Sequence, residues 1–148
     1  MAAKRRFIQG EFVPSNKQKY VGKKMPKYRS SWELKVMHFF DQNPHIIQWA
    51  SEAIAIQYKN PVTKKISCYF PDFLVVYQDA KGNTRAEMIE VKPNNQTSLE
   101  EARSKYDKAQ AIINQAKWIA ATAYCKKSNI GFRIMTENEI FMNPRGRK

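Results

Sequence analysis

The alternation of apolar and polar positions changes period several times along this chain, and each change marks an element. Residues 1–29 hold no sustained period. Pro14, Gly22 and Pro26 punctuate a lysine-rich stretch in which Gln9-Gly10-Glu11-Phe12 reads as a short strand or an anchoring turn. Helical spacing begins at Ser30. Ser30-Ser31-Trp32-Glu33 is a capping box, with Ser30 as N-cap and Glu33 three residues on, and Trp32, Val36, Phe39 and Phe40 follow at helical intervals until Asn43-Pro44. The period then falls to two. Ile46 to Trp49 is a short strand, Ala53 to Tyr58 alternates, Ile66 to Phe70 and Phe73 to Tyr77 flank Pro71-Asp72, and Arg85 to Lys92 closes at Pro93. Turns at Asn60–Lys64 and Asp79–Asn83 join the last three runs into an antiparallel meander.

A second helix is predicted from Ser98-Leu99-Glu100-Glu101, another capping box, to about Ser128. Its expected buried stripe is Ala102, Tyr106, Ala109, Ile113, Ala116, Ala120 and Ala123. Phe132 to Met135 is a last strand, and Thr136-Glu137-Asn138-Glu139 caps a short terminal helix. The order helix, β-meander, helix, strand, short helix makes a mixed α/β (α+β) domain over residues 30–142. A basic arm, 1–29, precedes it and a basic tail, 143–148, follows.

Charge sharpens this division. The net charge is +13. Residues 1–30 hold nine lysines and arginines against Glu11, and 143–148 add three more, which leaves the body nearly neutral. Basic termini of this kind suit a polyanion, because each neutralised phosphate releases condensed counterions. Lys4, Arg5, Arg6, Lys23, Lys24, Lys27, Arg29, Arg145, Arg147 and Lys148 are therefore the expected nucleic-acid contacts. The plain alternative is a solvated tail that keeps the protein soluble. No apolar run approaches a membrane span and no signal-peptide core follows the basic start, so an intracellular protein is expected. Cys68 and Cys125 lack zinc-type spacing, His38 and His45 lack ligand-spaced partners, and no phosphate-cradling GxxxxGK[ST] loop is present. These features argue against a zinc site, a histidine-based nuclease and a nucleotide cofactor. Trp32, Trp49 and Trp118 are read as core.

The candidate chemistry lies in the meander. Pro71 cannot donate to a ladder, so it marks an edge or bulge that can re-aim Asp72. Glu90 and Lys92 are two apart on the next strand and share a face. Adjacent strands can then set Asp72 beside Glu90. Facing carboxylates favour a hard cation such as Mg²⁺, with Mn²⁺ as a substitute. A lysine beside them can offset charge on a phosphoryl transition state. The plain alternative for Glu90 and Lys92 is a surface ion pair, and for Glu33 a cap alone.

Pro71-Asp72 followed by Glu90-Val91-Lys92 resembles the PD-(D/E)XK (restriction-endonuclease-like) motif, and the element order resembles that superfamily's core. Tyr28-Arg29-Ser30-Ser31-Trp32-Glu33, Phe70-Pro71-Asp72-Phe73, Ile89-Glu90-Val91-Lys92-Pro93 and Gln115-Ala116-Lys117-Trp118 are similar to the head-completion nuclease family of T-even-like tailed phages. The motif order is also similar to that of TnsA-type transposon endonucleases. The resemblance implies a metal-dependent DNA endonuclease with Asp72, Glu90 and Glu33 as metal ligands, and with Lys92 and a polar residue of the second helix, Lys117 or Gln115, completing the site. It also implies work after DNA packaging, in the host cytoplasm or with the virion, beside capsid or portal proteins. The rival expectations are a catalytically silent DNA-binding head protein and a nuclease of junctions or transposon ends.

Overall fold

The computed structural model describes residues 8–140. Lys4, Arg5, Arg6, Arg145, Arg147, Lys148 and the domain edge at 142 lie outside the described residues. Its elements are β1 (Gly10–Glu11), β2 (Lys27–Tyr28), α1 (Ser31–Gln42), β3 (Ile46–Ser51), β4 (Ile56–Lys59), β5 (Ile66–Tyr69), β6 (Phe73–Gln78), β7 (Thr84–Val91), α2 (Lys105–Lys127), β8 (Gly131–Met135) and α3 (Glu137–Ile140). No helix among the described residues is long and apolar enough to cross a membrane.

The central sheet runs β3-β6-β7-β8. The first two pairings are antiparallel and β7 with β8 is parallel. A parallel pair needs a crossover, and α2 supplies it. Both faces of the sheet are covered, so β7 ends in an unbroken buried run, Met88 to Val91. One face carries Phe73, Val75, Ile89 and Val91 against Val36, Met37 and Phe40 of α1 and against Trp49. The rings of Phe40, Trp49 and Phe73 meet edge-on or tilted, with centroids 5.2–6.2 Å apart. Such pairs add about 0.5–1.5 kcal/mol each beyond their burial. The other face carries Met88 against Trp118, Ala121 and Cys125 of α2. All three tryptophans are core, as expected.

The meander differs from the sequence reading in its first strand. The sheet neighbour of β6 is β3, whereas the alternating run after Ala53 shortens to β4 and pairs only with β5. This hairpin is separate from the sheet. Its inner positions Ile56, Tyr58 and Tyr69 pack on α2, while Gln57, Lys59, Ile66 and Cys68 face out. Alternation alone specifies a half-buried ribbon but not which layer buries it.

The second helix also differs from expectation, starting six residues later. The Ser98 hydroxyl does accept the Glu101 N–H (3.3 Å), but only an isolated turn forms, and Leu99 stays exposed. Ser104 is the true N-cap: it accepts the Asp107 N–H at 3.0 Å, and Asp107 accepts from the Arg103 N–H at 3.3 Å. The buried stripe is Asp107, Ala111, Asn114, Trp118, Ala121 and Cys125, rotated from the predicted one, and Tyr106 and Ala123 face solvent. Small and apolar residues occur all round this helix, so its period is clear but its phase is set by where Trp118 docks. By contrast, α1 begins as predicted, with Ser30 accepting the Glu33 N–H at 3.2 Å.

Residues 10–29 form a strap against the body. Phe12 and Pro26 are buried, and Tyr20 packs edge-on to Trp49 with centroids 4.7 Å apart. The buried Asp41 carboxylate accepts the N–H groups of Ser15 and Asn16 at 3.0 and 2.9 Å. Lys23, Lys24, Lys27 and Arg29 nevertheless point outward.

Candidate active site

Asp72 sits where β5 hands over to β6. Pro71 breaks the ladder there, and the register resumes with Phe73 opposite Ile89. The turned chain brings Asp72 against the end of β7. Its Oδ2 accepts the Val91 N–H at 2.8 Å, and its own N–H donates to Glu90 Oε1 at 3.3 Å. No hydrogen bond reaches its Oδ1 from the described residues. Asp72 is half-buried, and Glu90 is 4% exposed.

Glu90 is held from several sides. The Tyr69 hydroxyl donates to Oε1 at 2.7 Å, and Lys92 Nζ lies 3.8 Å from Oε2. Lys92 keeps 20% of its side chain open, which fits a cation able to reach solvent and substrate. Lys117 enters from α2. Its ammonium lies 5.5 Å from the Tyr69 ring centre and 5.8 Å from that of Tyr58, within cation–π reach. Gln115 instead donates to the Thr97 carbonyl, at the surface.

Electrostatics mark this cluster. Loss of water, followed by the charges of Glu90 and Glu33, pushes Asp72 well above the usual carboxylate range, against the pull of the Val91 N–H and Lys92. Burial also raises Glu90, opposed by Lys92, Tyr69 and Lys117. Burial and the neighbouring Lys92 lower Lys117, while Glu90 and Asp72 act to raise it. Burial and the Glu90 charge push the Tyr69 phenol far upward, so it stays a donor. Crowded carboxylates and two lysines are thus held together with much of their water removed, at a standing electrostatic cost.

The structure brings Asp72, Glu90, Lys92 and Lys117 to one place. Glu33 is buried on α1, near enough for its charge to reach Asp72, but its Oε1 is engaged by the Arg29 N–H at 3.0 Å. Among the described residues, no group of three His, Cys, Asp or Glu side chains is gathered closely enough to hold a metal ion. The donor set still fits a hard divalent cation in the Mg²⁺ manner, with one or two carboxylates and the remaining positions taken by water or phosphate oxygens. The sequence reading missed Tyr69, the donor that orients Glu90. Its only sequence signal is its position three residues before Asp72, on the buried side of an alternating run.

Residues 43–137 match the TnsA-like endonuclease N-terminal family. That segment contains Asp72, Glu90, Lys92 and Lys117, with Glu33 before it. The chain is also similar to the head completion nuclease of Enterobacteria phage T4, with 35% identity over 142 residues that cover 88% of this chain and 92% of that protein. The four-stranded sheet, its crossover helix and the carboxylate–lysine cluster all lie in the matched segment, and the chain belongs to the TnsA-like endonuclease family.

Proposed function

We propose that this protein is a metal-dependent DNA endonuclease that cuts phosphodiester bonds during phage head completion, with its active centre at Asp72, Glu90 and Lys92. The observation that carries the reading is the approach of half-buried Asp72 to buried Glu90 beside two lysines, an arrangement that gains most from a divalent cation and an anionic substrate. The place in head completion rests on similarity to the T4 nuclease, whose name states that role.

Asp72 and Glu90 would hold the cation, Mg²⁺ or Mn²⁺, with Glu33 as a further carboxylate behind Asp72. A bound divalent ion supplies Lewis acidity at the phosphate and a water of lowered pKa. The chain's own groups do the rest. The Val91 N–H fixes one Asp72 oxygen and leaves the other without a hydrogen bond from the described residues. Tyr69 fixes one Glu90 oxygen and leaves the second on the Lys92 side. The Lys92 ammonium is placed to orient a water and to offset charge building on the phosphoryl oxygens. Lys117 adds a second cation that is partly stripped of water, which strengthens its attraction for a phosphate.

DNA is taken as the substrate from the family and from the charge. Lys4, Arg5, Arg6, Arg145, Arg147 and Lys148, together with the exposed Lys23, Lys24, Lys27 and Arg29, would grip phosphates around the cut. The β4–β5 hairpin adds exposed Lys59, Lys64 and Lys65, with no acidic residue between Ala53 and Pro71. Capsid or portal proteins are the proposed partners, and the host cytoplasm during virion assembly the proposed place of action. The test is to incubate purified protein with supercoiled, linear, branched and single-stranded DNA, with and without Mg²⁺. Mg²⁺-dependent cutting of at least one duplex form is expected. Binding without cutting under all conditions would favour the silent DNA-binding reading.

A further inference from the structure

Arg29 differs from the other outward-facing basic residues of the strap. Its backbone is fixed on both sides: Tyr28 pairs with Gly10, and Ser30 is the fully buried N-cap of α1. Its N–H holds the Glu33 carboxylate at 3.0 Å. Its guanidinium forms an ion pair with Glu52, just after β3. Glu52 is itself anchored to the site, because its N–H donates to the Asp72 carbonyl at 3.0 Å. Glu52 also adopts the left-handed region, with φ at +49°, which residues with a Cβ rarely occupy. Such conformations persist where surrounding structure over-determines them, and they cluster at functional sites. Arg29 is therefore anchored beside the site twice, its backbone N–H on Glu33 and its exposed guanidinium, through Glu52, on the Asp72 backbone. It also feels the charges of Glu33 and Asp72.

We propose that Arg29 is a phosphate-binding residue of the active site, contacting the DNA backbone next to the bond that is cut, and that Glu52 is the positioning residue that aims it. An isolated surface pair of this exposure, 55% and 33%, would contribute little to stability. Its value here is geometric. A guanidinium has five N–H donors in a fixed fork, so one edge can rest on Glu52 while the other takes a phosphate oxygen pair. The backbone bond from Glu52 to Asp72 sets the distance from that fork to the reacting centre.

The proposal rests on the endonuclease reading, and the test separates the two. Single-turnover cleavage at saturating DNA is measured for wild type, Arg29→Ala, Arg29→Lys and Glu52→Gln, each with its melting temperature. DNA affinity is measured separately for the same substitutions in a metal-free Asp72→Asn background. Arg29→Ala should slow cleavage by about tenfold or more, in keeping with one lost phosphate donor. Arg29→Lys should bind almost as well but recover only part of the rate, since an ammonium lacks the planar fork. Glu52→Gln is the discriminating case. Loss of a negative charge should leave DNA binding as tight or tighter, yet cleavage should slow severalfold because Arg29 is no longer aimed. A Glu52→Gln protein that binds more tightly and cuts faster would make Glu52 an electrostatic brake and overturn the proposal. So would full rescue of its rate by excess Mg²⁺, which would make Glu52 a metal ligand, or an Arg29→Ala protein with the wild-type rate. If wild type cuts no DNA, the endonuclease reading fails by itself; equal affinities of the Arg29 and Arg29→Ala proteins would still overturn this one.

Discussion

Two glutamates three residues apart on β7 stand in opposite circumstances. Glu87 faces the α1 side of the sheet, where the Tyr77 hydroxyl donates to it at 3.1 Å and Arg133 Nε lies 3.3 Å away. Glu90 faces the α2 side, where the Tyr69 hydroxyl donates at 2.7 Å and Lys92 lies 3.8 Å away. Both have a tyrosine and a base, so inventory alone does not separate them. The difference lies in the rest of the surroundings. Glu87 has one acid matched to one base, with 22% of its side chain open to water. Glu90 is deeply buried and accepts the backbone N–H of Asp72, whose carboxylate feels the charges of both Glu90 and Glu33. The first arrangement pairs one acid with one base, while in the second three carboxylates, counting Glu33, face Lys92 and Lys117, and the repulsion left on Asp72 is relieved by a cation. A buried excess of carboxylate, more than the presence of a glutamate–lysine pair, distinguishes a reaction centre from a structural ion pair.

The comparison is sharpened by breaking each end of β7 in turn. The largest effect is expected from Glu90→Gln, which should lose DNA cleavage by on the order of a thousandfold or more, as for loss of an essential group. Glu87→Gln should cut at the wild-type rate. A plasmid-nicking assay on matched, folded proteins measures both, and equal losses would erase the distinction. A smaller loss, about a hundredfold, is expected for Lys92→Ala, as for removal of one transition-state donor. Arg133→Ala, its counterpart beside Glu87, should leave the rate unaltered.

The smallest effect concerns stability. Burial and the charges of Glu90 and Glu33 raise Asp72 above its ordinary range. A carboxyl raised in the folded state contributes stability below its unfolded pKa, and that contribution is lost as pH rises through the raised value. Near neutral pH the metal-free protein therefore carries the cost of ionising Asp72. In EDTA, Asp72→Asn should melt above wild type at about pH 7, and the gap should close toward about pH 4. A neutral-pH melting temperature below that of wild type would show that Asp72 contributes net stability and that the repulsion is not felt.

Much of this was legible in the sequence, for identifiable reasons. The α1 cap at Ser30, the strands around Pro71-Asp72 and the shared face of Glu90 and Lys92 follow from local rules of capping, proline and period two, which tertiary contacts leave intact. Lys117 was legible only through family resemblance, since a lysine beside an apolar stripe is otherwise a snorkelling side chain. The start of α2 was misread because Ser98 and Ser104 carry equivalent capping signals, and only tertiary packing chooses between them. The separation of the β4–β5 hairpin from the sheet, and the parts played by Tyr69, Arg29 and Glu52, depend on contacts across 20 to 23 residues or more. Residue spacing does not encode these: Tyr69 meets Glu90 and Arg29 meets Glu52 only after the layers assemble.

The most direct test of the carboxylate-excess account is the binding of Mn²⁺ in the absence of DNA, read by the loss of the free-ion electron paramagnetic resonance signal on titration. Wild type and Glu87→Gln should each bind Mn²⁺, and Asp72→Asn should bind it far more weakly. Binding by Asp72→Asn equal to that of wild type would contradict the assignment of the metal to the Asp72–Glu90 end of β7.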